Sequence, residues 1–122
     1  MNTFTVEEMS GTYILRVQPQ RMTLQDVVDT FQSDLNALAD EHPSSHFILD
    51  MSRMDFIGSA VIGALIQAFK RVKDSGGELV LACLQPPAEA VLKMTRLSAV
   101  FPIYDTVEAA LRRNWVSGQG AS

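Results

Sequence analysis

Two short runs near the start of the chain alternate between apolar and polar residues. In the first, "TFTVEE", Phe4 and Val6 fall on one face, and in the second, "TYILRV", Tyr13, Leu15 and Val17 do so. A period of two is the pattern of a β-strand. The intervening "MSG" is typical of a tight turn. The pattern therefore predicts an antiparallel hairpin.

The next segments change to the spacing of helices. Apolar residues recur every three or four positions from residue 23 to about residue 40, and again from residue 59 to about residue 74. Thr23 and Asp26 form a capping pair at the start of the first run. The pair Gly76–Gly77 ends the second, because glycine readily adopts the backbone angles that stop a helix. Two long helices are predicted.

Short apolar runs separate the helices. "HFILDM" and "ELVLACL" have the composition of buried central strands, and "VFPIY" is a further short strand or edge segment. "PPAEAVLKM" begins with proline, as a helix can, and Asp105 with Glu108 forms a capping pair for a last helix.

The predicted order is β-β-α-β-α-β-α-(β)-α. Alternating strands and helices imply right-handed crossovers, so we expect an α/β fold with a mixed, mostly parallel sheet of four to five strands, about four helices and an N-terminal antiparallel hairpin. A chain of 122 residues suits a single domain. We place that domain at residues 1–115 and a frayed C-terminal tail at 116–122, where the sequence is small and polar.

Charge and composition exclude several classes of function. The net charge is −4 and no strongly basic run occurs, which argues against binding to nucleic acid or to an anionic membrane surface. No window approaches the roughly 20 apolar residues of a membrane span. The single cysteine, Cys83, permits no internal disulfide and favours a reducing compartment. We expect a cytoplasmic protein.

Motifs for catalysis are weak. No phosphate-binding glycine loop and no nucleophile-elbow motif surrounds Ser59. His42 and His46 lie in or beside a loop, but a metal site would need two more ligands, and only Asp40 and Glu41 are near in sequence. We therefore predict no metal, no cofactor and no enzymatic activity, although a serine–histidine–carboxylate site assembled by the fold stays open as a minor alternative.

The segment "DFIGSAVIG", residues 55–63, needs a separate explanation. Ser59 is expected to cap the helix that follows, and Gly58 is expected to supply a positive φ for the tight turn before it. The first turns of that helix are apolar nearly all round. A helix with one buried face does not need this, so the run is either wedged in the core, which the pattern favours, or exposed for another protein.

Residues 47–111 resemble the STAS domain of bacterial anti-sigma factor antagonists. The family pattern is an apolar strand ending in Asp or Asn, then roughly "F-[IM]-D-S-S-G-L-G", a long helix, "G-G-x-L-x-L" and a closing "F-x-I-[FY]". The matching residues are Asp50, Phe56, Ile57, Ser59, Gly63, Gly76, Gly77, Leu79, Leu81, Leu92, Leu97, Phe101, Ile103, Tyr104, Glu108 and Leu111. The N-terminal half agrees in element order and only weakly in residues.

The resemblance implies a binding switch. Proteins of this family bind an anti-sigma factor that is also a Ser/Thr kinase, here of the GHKL type, and a PP2C-type phosphatase is a further candidate partner. The kinase phosphorylates the first Ser of the family motif, which is Ser59 here, and the phosphorylated form is released. The residues implied in partner binding are Asp50, Ser52, Asp55, Gly58, Ser59, Ala60, Val61 and Ile62. Self-association stays open.

Three positions depart from the family pattern. Gly58 replaces the Asp before the phosphorylated Ser, Ala60 replaces the second Ser, and Val61 replaces the following Gly. After the second strand, "QPQRMT" stands where the family has "G-x-[LI]-D". The alternative is therefore a STAS scaffold in another signalling or transporter-associated complex, in which Ser59 is not phosphorylated.

Overall fold

The structure is a computed structural model that describes residues 3–112. It contains a five-stranded sheet, four α-helices and a short 3-10 turn at Leu97–Ala99. The elements in chain order are β1 (Phe4–Met9), β2 (Thr12–Val17), α1 (Gln25–Glu41), β3 (His46–Asp50), α2 (Ser59–Asp74), β4 (Glu78–Ala82), α3 (Pro86–Met94), β5 (Ile103–Tyr104) and α4 (Val107–Leu111). The predicted fold class is confirmed. The proposed boundary at residue 115 and the tail 116–122 lie outside the described residues.

The strands lie in the order β1-β2-β3-β4-β5, with β1 antiparallel to β2 and the others parallel. Met9 pairs with Thr12, so the hairpin loop has only the two residues Ser10 and Gly11. Their φ values are 52° and 84°, the left-handed angles that match the twist of a hairpin. The predicted hairpin is therefore confirmed, although Val6 is 47% exposed because strand β1 is largely uncovered.

The sheet is covered on both faces, which explains the apolar character of its central strands. Helices α1, α2 and α3 pack on one face, where Phe31, Leu65 and Leu92 meet strand residues such as Leu49. Helix α4 packs on the other face. The residues of that second cluster are Ile14, Ile48, Val80, Ala82, Val107 and Ala110. Strands buried on both faces lose the alternating pattern, as β3 and β4 do.

The helix ends correct two predictions about capping. Thr23 does not cap α1; the N-cap is Leu24, whose carbonyl accepts hydrogen bonds from the N–H groups of Val27 and Val28. Asp105 does not cap α4 either. Its neighbour Thr106 does, with Oγ1 accepting from the Ala109 N–H at 3.0 Å. At both ends several polar residues are adjacent, and sequence alone does not choose among them.

We expect Thr106→Ala to lower the free energy of unfolding by about 1 kcal/mol, because the cap bond of α4 is lost. Thr23→Ala is the matched control and should change it by less than about 0.5 kcal/mol. Urea denaturation of both variants measures the difference. Equal losses for the two would show that the cap assignment is wrong.

Candidate functional site

Three connections meet at the carboxyl ends of the parallel strands. They follow β2, β3 and β4, and the one after β3 spans residues 51–58, which we call the site loop. The Asp55 N–H donates to the Gln20 carbonyl at 3.2 Å, and Arg21 Nε donates to Asp55 Oδ1 at 2.9 Å. From the other side, Gln85 Nε2 donates to the Ser52 carbonyl at 2.7 Å. The site loop is therefore held by both neighbouring connections.

The inner side of the site loop is apolar. Met51, Met54 and Ile57 are at most 2% exposed, and they lie in the core beneath α1, α2 and α3. The Met51 N–H donates to the Ala82 carbonyl at 3.0 Å, which continues the contact between β3 and β4. Burial of these side chains fixes the loop and turns its other residues outward.

Ser59 is the first residue of α2 and is exposed. The sequence predicted Ser59 as the N-cap, and this is wrong. The N-cap is Gly58, whose carbonyl accepts a hydrogen bond from the Ile62 N–H at 3.0 Å and so closes the first turn one residue earlier. Gly58 also lacks the expected positive φ. Its angles are φ −93° and ψ 176°, an ordinary extended conformation.

The N-terminus of α2 is open in consequence. A glycine cap has no side chain to accept from the first N–H groups, and the first turn of α2 contains no acidic residue. Free N–H groups and the helix dipole favour negative charge at this position.

Asp50 shapes the entry to the site loop. It is 8% exposed at the end of β3, where Oδ1 accepts from the Ser52 N–H at 2.9 Å. Its Oδ2 lies 3.5 Å from Arg16 Nε on the adjacent strand. Arg16 also donates to Glu7, and that bond, with the charges of both carboxylates, raises the pKa of its guanidinium. Asp50 thus has a structural role in the loop.

Cys83 lies close to Asp50 at the end of β4 and is partly buried. Burial raises the pKa of its thiol, and the carboxylate of Asp50 raises it further by charge repulsion. The thiol therefore stays protonated near neutral pH, where it is a poor nucleophile.

The structure separates the predicted partner-binding residues into a buried and a surface group, and Asp50, at 8% exposed, belongs to the buried one. Val61 is 1% exposed and packs in the core, so its side chain is not available to a partner, and its inclusion is corrected. Ile62 is partly buried against the same core. The apolar start of α2 is therefore mainly core, because this helix packs against both α1 and strand β4. The predicted residues that are exposed or half-buried at the surface are Ser52, Asp55, Gly58, Ser59 and Ala60.

Sequence analysis missed Phe56 as a residue of this surface. Its side chain is 45% exposed, and the guanidinium of Arg21 lies 5.8 Å from the ring centroid. Leu24, in the connection after β2, is 68% exposed. The available signal was an aromatic residue in a loop, two positions before a glycine. We call the exposed set Ser52, Asp55, Phe56, Gly58, Ser59 and Ala60 the Ser59 surface.

Metal binding finds no support in residues 3–112. No group of three or more His, Cys, Asp or Glu side chains in that range could hold a metal ion. His42 Nδ1 instead lies 3.2 Å from the Tyr13 hydroxyl, and the two rings stack with centroids 4.5 Å apart. Among the same residues, no helix has the length and apolar character needed to cross a bilayer.

Comparison with known proteins gives a consistent result. The family model described as "STAS domain" matches residues 3–110. An anti-sigma F factor antagonist of Paenibacillus polymyxa is 25% identical over 83 residues, which cover 68% of this chain and 71% of that protein.

Solved structures show the same fold. An anti-sigma-factor antagonist (STAS) domain protein from Planctomyces limnophilus superposes with a TM-score of 0.80 at 24% identity, covering 88% of this chain and 94% of the other. SpoIIAA, a Bacillus cell fate determinant, superposes in its phosphorylated form with a TM-score of 0.67 at 16% identity, covering 88% and 96%. A sulfate transporter family protein from Wolinella succinogenes superposes with a TM-score of 0.69 at 21% identity, covering 84% of each chain.

Proposed function

The chain belongs to the STAS domain family, and from that premise we propose that it is an anti-sigma factor antagonist switched by phosphorylation at Ser59. In this proposal the unmodified chain binds an anti-sigma factor that is also a Ser/Thr kinase of the GHKL type, in the cytoplasm. The kinase phosphorylates Ser59, and the phosphorylated chain is released. A PP2C-type phosphatase restores the binding form. The chain itself catalyses no reaction.

The observation that carries this proposal is the position of Ser59. Its side chain is exposed on the first turn of a 16-residue helix whose N-terminus has no side-chain cap. A kinase can reach this hydroxyl without unfolding the chain. A phosphate adds about −1.5 to −2 charges at pH 7. The open N–H groups of the helix tolerate that charge within the domain.

The same charge opposes binding to a partner. The surface beside Ser59 carries Ala60 and the exposed ring of Phe56, and neither offers a counter-charge. When a partner covers this surface, the phosphate must be desolvated, which costs several kcal/mol unless the partner supplies a cation. Phosphorylation can therefore separate two proteins whose folds do not change.

The relative from Paenibacillus polymyxa supports the choice of partner, because it is named as an antagonist of the anti-sigma F factor. The phosphorylated form of SpoIIAA supports the covalent step, because that neighbour has this fold and is known in a phosphorylated state.

A second candidate function is a STAS scaffold in a signalling or transporter-associated complex. Two observations favour it: Gly58 and Ala60 replace the Asp and Ser of the family motif, and the fold also occurs in a sulfate transporter family protein. In such a complex Ser59 would remain unmodified, and the partner would not be a kinase.

Binding to purified kinases separates the two candidates. Each GHKL-type kinase encoded in the same genome is produced and titrated with the wild-type chain in the presence of ATP or ADP. We expect one of them to bind with a Kd in about the micromolar range or below. If none of these kinases binds, the antagonist function is wrong and the scaffold function is favoured.

A further inference from the structure

Phe56 is the outward-facing large apolar residue of the site loop. Its side chain is 45% exposed, whereas its neighbours Met54 and Ile57 are 0% and 2% exposed. The loop could have buried this ring as it buries the other three apolar side chains. Its exposure three residues before Ser59, where α2 begins, therefore needs an explanation.

Gly58 provides the space in which the ring lies. A Cβ atom at residue 58 would be 3.3 Å from Cε2 and 3.7 Å from Cζ of Phe56. The shorter distance is tighter than most real contacts, so a side chain at residue 58 would require the ring to shift by a few tenths of an ångström. The backbone angles of Gly58 suit every residue, so the turn does not require glycine, and the contact with the ring is the constraint that the structure shows at this position.

Arg21 holds the ring from the preceding connection. Its guanidinium lies 5.8 Å from the ring centroid, while its Nε donates to Asp55. The ion pair between Arg21 and Asp55 also compensates the negative charge of Asp55, which is the one acidic residue of the site loop. The first turn of α2 contains no acidic residue, so the ring lies beside an apolar helix start, and the exposed Arg53 of the site loop donates to Gln18.

We propose that Phe56 is the apolar anchor of the partner complex and that Gly58 selects the partner by fixing the ring beside Ser59. The partner then offers an apolar pocket at this point. A partner adapted to the Asp of the family motif would instead present a cation opposite residue 58. In this chain Gly58 offers that cation no carboxylate. Aromatic side chains near the centre of an interface are the usual source of its affinity. The inference rests on the proposed function, since the partner is the anti-sigma factor kinase.

The test is a double-mutant cycle measured by titration with the purified GHKL-type kinase that binds the wild-type chain. Phe56→Ala should weaken binding about thirtyfold or more, the loss typical of an anchor residue. Gly58→Ala should weaken it about two- to tenfold, because the added Cβ displaces the ring. When Phe56 is already Ala, Gly58→Ala should change the Kd by less than about twofold.

The matched control is Val100→Ala, because Val100 is also 45% exposed but lies outside the Ser59 surface. It should leave the Kd within about twofold of the wild-type value. Thermal unfolding checks that each variant is folded, and Phe56→Leu replaces Phe56→Ala if the latter is not.

Each outcome has one interpretation. If Phe56→Ala binds like Val100→Ala while Ser59→Asp still abolishes binding, the anchor is wrong and the proposed function stands. If Gly58→Ala changes the Kd by the same factor in the wild-type chain and in the Phe56→Ala variant, Gly58 does not act through Phe56. The proposal that Gly58 selects the partner is then wrong. If no kinase binds the wild-type chain, the proposed function fails and the anchor fails with it.

Discussion

Replacing Ser59 by Asp is expected to weaken binding to the anti-sigma factor kinase by at least about 100-fold, while the fold is preserved. A charge that is buried in an interface without a counter-charge costs about 2–5 kcal/mol, and about 1.4 kcal/mol corresponds to a factor of ten in affinity. The carboxylate of this variant would lie on the first turn of α2, near Ala60 and Phe56, and neither side chain provides a counter-charge.

The same substitution should leave stability unchanged or slightly raised. The first turn of α2 contains no acidic residue, and a carboxylate at a helix N-terminus stabilises the helix by about 0.3–1 kcal/mol. Opposite effects on affinity and stability distinguish a surface switch from simple unfolding. Calorimetric titration and thermal unfolding measure the two quantities on one sample.

Ser98→Asp is the matched control. Ser98 is exposed in the 3-10 turn that follows α3, so the same charge is added outside the Ser59 surface. Its Kd should stay within about twofold of the wild-type value. Wild-type affinity in Ser59→Asp, or an equal loss in both variants, would contradict a switch located at Ser59.

Gly77→Ala is expected to destabilise the fold by about 3 kcal/mol or more, the largest effect on stability that we predict. A Cβ at residue 77 would lie 2.2 Å from the carbonyl oxygen of Ser45 and 3.0 Å from its nitrogen. Both atoms are backbone, so no side-chain rotation relieves the overlap. To relieve the overlap, the start of β4 must move away from the start of β3. That movement would break or lengthen the hydrogen bond that the Glu78 N–H donates to the same Ser45 carbonyl at 3.1 Å.

Gly63→Ala provides the control for this prediction. Gly63 lies inside α2, and a Cβ there would meet nothing within 4 Å. The alanine should stabilise the chain by about 0.5–1 kcal/mol, because glycine is a poor helix former. Urea denaturation of both variants gives the comparison, and a Gly77→Ala variant as stable as the wild type would contradict the close approach of β3 and β4.

The hydrophobic pattern was sufficient for the architecture and for most element bounds. Strands β3 and β4 are apolar because helices cover both faces of the sheet, and the glycines after α2 end that helix as predicted, with Gly76 at φ 91°. Periodicity and glycine position depend on local geometry, and a single sequence contains that information.

The site depended more strongly on contacts between distant segments. Arg21 and Asp55 are 34 residues apart in sequence, and their ion pair accompanies an Arg21 guanidinium that lies 5.8 Å from the centroid of the Phe56 ring. Val61 was assigned to the partner surface by the family resemblance, whereas the apolar pattern of the helix start favoured the core. The cap of α2 was misplaced by one residue, because a Ser after a Gly is a common capping pattern. These errors concern which way a side chain faces and which residue begins a helix, and pattern alone determines neither.

Peptide mapping of the chain purified from its native cells tests the central claim most directly. The segment from Phe56 to Lys70 is analysed by mass spectrometry, before and after treatment with a PP2C-type phosphatase, under conditions in which the sigma factor is regulated. We predict a fraction that carries one phosphate on Ser59, is removed by the phosphatase and is absent from a Ser59→Ala strain. A Ser59 that is uniformly unmodified under all these conditions would contradict the switch and leave the scaffold function as the better account.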